Sequence, residues 1–401
     1  MPLRAIHFGK QIELSQRIKA PFALLIAAVL GVFWLIVSVH IVPLTHNVDF
    51  LNLYTGAWFA HHWDWTHVYH AANQIAQEKV FVPGHVGFWP FVRPPVYGIL
   101  MSPLALIPFG PAFGWWLAGQ AGVFLACLTW AWRRFGPWTA ILGTMFFVTP
   151  MGIAVGQDCA LYLGIACAAF ALGERRRYFL CGMLLGLGLT KFHLYLFWPF
   201  VLLFERRWRM LLGFTVSGVI QGLISLAVLG WAGLTGLTGE SGYLGFILHL
   251  NTYYAPTMNI DINSILLNTG LWSRALLIGS SVALAAFLLW SSRRTDALGV
   301  TFALAISGSL LIAPHTYSYD GAMLLVPIWA VLAQPGYQWA KLAAVAVCSP
   351  IPILAAFFGR PVEFFLALLL LFFAIAVGVE NRMRPSSINR VAETAKSGTM
   401  D

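Results

Sequence analysis

The chain has 401 residues, of which 59% are hydrophobic and 10% charged, with a formal charge of +9. Soluble domains carry about 25% charged residues, so this chain cannot maintain a water-facing surface and needs lipid as its solvent. Its basic residues cluster between apolar runs, which is the pattern of cytoplasmic loops rather than of a nucleic-acid-binding surface.

Taken in chain order, spanning helices are expected over 22–42, 112–132, 210–231, 271–291, 297–313, 320–334, 338–356 and 362–380. The stretch 137–204 differs. Its apolar runs, 137–150, 159–173, 178–190 and 193–204, are too short to cross a bilayer of about 30 Å and read as re-entrant or partly buried helices around a cavity. The expectation is an all-α polytopic membrane protein with about twelve transmembrane or re-entrant helices. It forms a single membrane domain over 1–380, followed by a polar, disordered cytoplasmic tail over 381–401. With both termini cytoplasmic, all but Lys79, Arg93, Lys191, Arg274 and Arg360 of the 24 lysines and arginines fall on the inner side.

This topology leaves a large first outer loop, 43–111, rich in aromatic and polar residues. Asp64 is expected to cap a helix over 66–79, with Val68, Ala72, Ile75 and Lys79 on one side. The proline-rich segment 95–108 reads as an interfacial helix. A second outer loop spans 232–264, and a third is Pro314-His315-Thr316-Tyr317-Ser318-Tyr319-Asp320. The five cysteines are scattered within apolar runs and read as small hydrophobes.

Asp49, Asp158, Lys191, His193, Asp261, His315 and Asp320 all map to outer helix ends or outer loops. Ionisable groups at membrane depth are costly and line cavities or pair, so a cavity open to the outer leaflet is expected. Asp49 reads either as a general base or, favoured by local sequence, as the cap of a helix over 50–60. Lys191 is a phosphate ligand or a snorkelling lysine, and Arg93 and Arg274 are phosphate ligands or interfacial anchors. His315 could meet a phosphate or tune a base. His193, Tyr319 and Trp58 are candidate substrate contacts, Trp58 by stacking on a sugar ring. Asp261 and Asp158 read better as helix caps. No phosphate-cradling Gly-x-x-x-x-Gly-Lys loop, His-Glu-x-x-His, Gly-x-Ser-x-Gly or Asp-x-Asp motif occurs, so neither a metal site nor a cofactor is expected.

Several motifs in order carry a resemblance. They are Asp49-Phe50 with Tyr54, Gly56 and Ala57; Val68-Tyr69; Phe88-Trp89-Pro90-Phe91-Val92-Arg93-Pro94-Pro95; Ser102-Pro103; Trp115-Trp116; Gly156-Gln157; Gly182-Met183-Leu184-Leu185-Gly186-Leu187 with Lys191; Glu205-Arg206-Arg207-Trp208; and Pro314-His315. Over roughly residues 20–330 this series resembles glycosyltransferase family 87, of the GT-C class of membrane glycosyltransferases. The Phe-Trp-Pro-Phe-Val run before Arg93 departs from the Tyr-x-Pro-Pro pattern of that family.

The resemblance implies a bacterial inner-membrane enzyme that moves a sugar, typically mannose, from a polyprenyl-phosphate donor. The acceptor is a glycolipid or glycan at the periplasmic face, and the anomeric centre is inverted. Asp49 matches the position of the general base, Lys191 the lysine after the glycine-rich segment, and His315 a histidine of the donor site. The implied partners are the lipid-linked donor, the acceptor and membrane lipids, without nucleic acid. The rival readings are a lipid or sugar transporter or flippase, and an O-antigen polymerase or acyltransferase. Transporters usually show two related halves, which this sequence lacks.

Overall fold

The computed structural model describes residues 49–236, 242–249, 257, 259–293, 297–313, 315–354, 359 and 361–384, together with Leu25, Ile26 and Val29. The expected first span, 22–42, therefore lies outside the described residues apart from those three positions, as does 385–401 of the expected tail.

Among the described residues the protein is helical, with only an isolated antiparallel bridge between Asn259 and Tyr317. Four helices are long and apolar enough to cross a membrane: Phe109–Phe135, Trp208–Thr235, Arg274–Ser292 and Val362–Met383. A fifth span results if Tyr178–Tyr195 and Trp198–Phe204, bent by 111°, count as one. The expected spans at 297–313, 320–334 and 338–356 contain the shorter apolar helices Leu298–Ile312, Ser318–Ala333 and Gln338–Cys348. The architecture is thus that of a polytopic membrane protein, with four or five candidate spans by length and composition among the described residues.

The region expected as the first outer loop (the outer region) begins with α1 (Phe50–His61) and α2 (Ala71–Phe81), followed by α3 (Pro95–Met101), which runs on as a 3-10 turn to Leu106. Their aromatic faces form a satellite core that includes Phe50, Tyr54, Tyr69, Phe91 and Phe113. The helix expected over 66–79 starts later, at Ala71. Val68 and Tyr69 are buried ahead of it, and the Asp64 carboxylate pairs with His67 instead of capping. Its buried face is Gln74 and Glu78, not the expected apolar one. Helix α2 packs against an extended backbone segment, and polar side chains satisfy that backbone: Gln74 accepts from the Phe91 N–H at 2.8 Å, and Glu78 accepts from Trp89 N–H at 3.4 Å.

The main core belongs to the bundle. Helix α4 (Phe109–Phe135) leads through two short helices, α5 (Trp138–Met145) and α6 (Val148–Ala154), to α7 (Cys159–Glu174) and α8 (Tyr178–Leu187). Then follow α9 (Trp198–Phe204) and α10 (Trp208–Thr235). Glycines let α8 and α10 meet backbone to backbone, since a methyl on Gly182 would strike the Met210 carbonyl and one on Gly213 the Phe179 carbonyl. Beyond α11 (Tyr243–His249) and α12 (Ile262–Thr269), the helices α13 (Arg274–Ser292), α14 (Leu298–Ile312), α15 (Leu325–Ala333), α16 (Gln338–Cys348) and α17 (Val362–Met383) complete the bundle. Helix α17 runs past the expected start of the tail. Asn381 is buried, donating to the Ser291 carbonyl at 2.8 Å and accepting from Tyr337 at 3.2 Å. The five cysteines are buried and unbridged.

Candidate functional site

One polar cavity, of about 100 Å³, opens where the outer region meets the bundle. Its walls include Asp49, Arg93, Gln157, Lys191, His193, His315, Tyr319 and Asp320, with Trp89 and Pro90 across from them. Asp49 stands immediately before α1 but makes no side-chain capping bond, so the cap reading does not describe it. Its Oδ2 instead accepts from Gln157 Nε2 at 2.8 Å. Gln157 reaches Asp49 because Gly156, at φ +83°, turns the chain sharply between α6 and α7. A side chain at Gly156 would also collide with Phe50.

Asp158 follows on the same turn. It too makes no capping bond, and the expected cap is corrected to a buried ionic hub. Arg93 Nη2 donates to Oδ1 at 3.0 Å and Oδ2 at 2.8 Å, Tyr97 donates at 3.0 Å and Lys191 Nζ at 3.2 Å. Arg93 and Lys191, drawn toward Asp158, hold its carboxyl below the usual range against the opposing effect of burial. Lys191 arrives there because the 3-10 stretch Gly188–Tyr195 that continues α8 breaks at Lys191 (φ −125°, ψ 64°). Its ammonium also pairs with Asp320. His193 Nε2 lies 3.7 Å from the other Asp320 oxygen, too far for a hydrogen bond. Asp320 in turn accepts the Tyr317 N–H at 3.1 Å, fixing the 3-10 turn Ser318–Leu324.

Burial raises the Asp49 carboxyl to about 6, with the Gln157 hydrogen bond and the Lys191 charge pulling the other way. Burial pushes the His315 imidazole down to about 3, so it is neutral at ordinary pH and offers hydrogen bonds, not charge. His315 stacks edge-on with His193 at 6.0 Å and with Tyr317 at 4.6 Å. The polar cavity thus brings together two cations, two carboxylates and two histidines, with Asp158 buried behind its wall and Asp49 as the carboxylate bound by an amide and not by a cation.

A second cavity, of about 260 Å³ and without polar surface, lies along α9, α13 and α14. Its walls at Leu196 and Ala313 stand within three residues of His193 and His315. The apolar groove and the polar cavity are therefore lined by adjoining stretches of the chain.

Of the residues singled out from sequence, Asp49, Arg93, Lys191, His193, His315 and Tyr319 meet in the polar cavity. Arg274 and Trp58 do not line it. Ser273 caps α13 through the Leu276 N–H at 3.2 Å, which leaves Arg274 exposed at the first turn. Trp58 packs on His62 and Phe81 at the edge of the satellite core. Asp261 does cap, accepting from Ser264 N–H at 2.7 Å. Sequence reasoning did not single out Gln157 and Tyr97; it counted Asp158 and Asp320 among the outer polar residues but read Asp158 as a cap and gave Asp320 no role. The available signal was the pairing of acidic residues in 49, 158 and 320 with the isolated outer cations Arg93 and Lys191. Among the described residues, no group of three or more His, Cys, Asp or Glu is placed to hold a metal ion.

A family model described as Glycosyltransferase family 87 matches residues 91–314, more than half of the chain. The match takes in Arg93, Asp158, Lys191, His193 and Arg274 and ends one residue before His315, while Asp49 lies outside it. No curated protein and no solved structure matches.

Proposed function

The chain belongs to glycosyltransferase family 87, and from that premise we propose that it moves a sugar, most simply mannose, from a polyprenyl-phosphate donor to a glycolipid or glycan. The reaction takes place at the periplasmic face of a bacterial inner membrane and inverts the anomeric centre. Asp49 takes the proton of the attacking acceptor hydroxyl as its oxygen bonds to the anomeric carbon, and polyprenyl phosphate departs. The phosphate sits against Lys191 and Arg93, and His315 donates a neutral hydrogen bond to it.

The observation that carries this reading is a charged, buried cavity and a wholly apolar groove lined by adjoining stretches of the chain. A lipid phosphate needs both, a cationic cradle for the head and a dry slot for the chain. The electrostatics are consistent with the roles. Arg93 and Lys191 already share Asp158 and Asp320, so the cavity is stable when empty. Each cation keeps further N–H groups for a phosphate, since a guanidinium has five and an ammonium three. Asp49, titrating at about 6, is mostly ionised at neutral pH yet basic enough to accept a proton. A phosphate ester leaves as an anion, and these donors meet its developing charge.

The test is transfer of label from radiolabelled polyprenyl-phosphate mannose to a glycolipid extract of the host, using purified protein in nanodiscs. Wild type is expected to transfer, and Asp49→Asn to lose about 10²–10⁴-fold in kcat while melting like wild type. Full activity in Asp49→Asn removes Asp49 from the mechanism. Wild type that leaves mannose, arabinofuranose and other lipid-linked sugars untouched rejects the donor class.

A further inference from the structure

Gln157 is buried and faces the polar cavity. Its Nε2 is committed twice, donating to Asp49 Oδ2 at 2.8 Å and to the Tyr319 hydroxyl oxygen at 3.1 Å. Its Oε1 is buried and has no hydrogen-bond partner among the described residues. Buried carbonyls are almost always paired, and one left unpaired in a cavity wall is a place for an incoming donor. The amide cannot turn round to relieve this, because Oε1 would then face an ionised carboxylate with no proton between two acceptors. Its orientation is fixed by the base it serves.

Among the described residues nothing donates to the second Asp49 oxygen, Oδ1. Two hydrogen-bonded side chains of the cavity wall thus each hold an acceptor oxygen to which no described residue donates, Asp49 Oδ1 and Gln157 Oε1. We infer that Gln157 reads the acceptor substrate: its Oε1 receives a hydrogen bond from a second acceptor hydroxyl while Asp49 takes the proton of the attacking one. The acceptor it favours therefore carries a second hydroxyl near the attacking one, as a sugar does. An acceptor with an isolated hydroxyl would leave Oε1 unpaired and be disfavoured. The inference rests on the function proposed above and extends it to the choice of acceptor.

Gln157 is a positioning residue for Asp49 as well, and the two roles separate in one experiment. Asp49 is also faced by Lys191, Asp158 and Asp320, with Arg93, Tyr319, His193 and His315 around the same cavity. These groups stay in place in the variants. The nanodisc transfer assay is run on wild type, Gln157→Met and Gln157→Glu, titrating the glycolipid extract and then the donor from about pH 5 to about pH 9. Gln157→Met loses both amide functions. Its apparent KM for the extract is expected to rise roughly five- to tenfold, the loss of one hydrogen bond, with the donor KM unchanged. Its acid limb is expected to move to higher pH, because Asp49 loses a donor that favours its ionised form.

Gln157→Glu keeps an acceptor oxygen and loses the amide donor. At the alkaline end its extract KM is expected to stay near wild type, while its acid limb moves up further. Should Gln157→Met not fold, Gln157→Glu carries the test through the same two readouts. Its extract KM rising as far as that of a folded Gln157→Met, or neither variant changing the extract KM, overturns the inference and leaves Gln157 as a support for Asp49 alone. Wild type that moves no label overturns the function itself, and the acceptor reading with it.

Discussion

The two ends of helices α7 and α8 hold the same chemistry in opposite settings. At one end, Asp158 precedes α7 and Lys191 follows α8, both buried, and Arg93 joins them from the outer region. At the other end, Arg134 forks onto Glu174 at 2.6–3.0 Å with its side chain half exposed. Arg175, Arg176, Arg177, Arg206 and Arg209 stand exposed around it. The ends are separated by the 16 residues of α7, about 24 Å. Water screens the arginine end, so each pair there contributes little. Nothing screens the cavity end, so charges persist there only as a fully connected network. Sequence alone shows the number and sign of charges at each end. The difference in setting comes from the fold.

The comparison breaks most visibly when a carboxylate is neutralised at each end. Asp158→Asn leaves Arg93 and Lys191 short of a counter-charge inside the protein and is expected to destabilise by about 3–5 kcal/mol, with loss of transfer. Glu174→Gln breaks an ion pair of better geometry at the arginine end and is expected to cost about 0.2–1 kcal/mol, with transfer intact. Thermal unfolding of both in the same detergent reads the ratio. Equal losses would mean that burial does not distinguish the two ends.

The pH dependence sharpens the same contrast. Asp49 must be ionised to act and titrates at about 6, so kcat/KM is expected to be half-maximal near that pH and to fall about tenfold per unit below it. A midpoint near 4 would show a carboxyl as well solvated as one at the arginine end.

Glu78 offers a smaller effect. Burial raises it from 4.5 to about 8, opposed by the Trp89 N–H bond. The folded protein therefore holds a proton that the unfolded chain releases. This contribution to stability is fully present below about pH 4.5 and is lost as pH rises through about 8. Glu78→Gln removes the titration, so its melting temperature is expected to change less than that of wild type over that range. A parallel decline in both proteins would place the titrating group elsewhere.

Much of this was legible in the sequence. Low charge and long apolar runs give a helical membrane protein, and the short runs in 137–204 give helices broken around a cavity, as the break at Lys191 and the 111° bend between Tyr195 and Trp198 show. Polar residues concentrated at one set of helix ends identify five of the cavity residues, Asp49, Lys191, His193, His315 and Asp320. The hub Asp158 was hidden because aspartate before a helix is a good cap, while its partner Arg93 is 65 residues away. Gln74 and Glu78 were hidden for a different reason. Periodicity assigns apolar residues to the buried face, but the surface that α2 covers is the backbone of the segment leading to Arg93. Trp58 and Arg274 carried plausible side chains that their helices direct away from the cavity.

The smallest expected effect tests the arginine end on its own terms. Arg176 and Arg206 occupy equivalent turns, each at positive φ (+59° and +57°). In each turn the following residue donates its N–H back to the helix, to the Leu172 and Leu202 carbonyls at 2.9 Å. This left-handed conformation costs an L-residue about 1 kcal/mol and costs glycine almost nothing, so backbone energetics alone would favour glycine at both positions. Arg206→Gly is therefore expected to hold or slightly raise the melting temperature, because it relieves that strain and gives up only a screened charge. Transfer should not change, since the cavity lies at the other end of the bundle. A drop in stability as large as that of Asp158→Asn would mean that Arg206 holds packing that its exposure does not suggest. If Arg206→Gly instead lowers membrane-inserted yield at unchanged melting temperature, the arginine is kept for orientation, and strain at this turn is the cost of placing positive charge on that face.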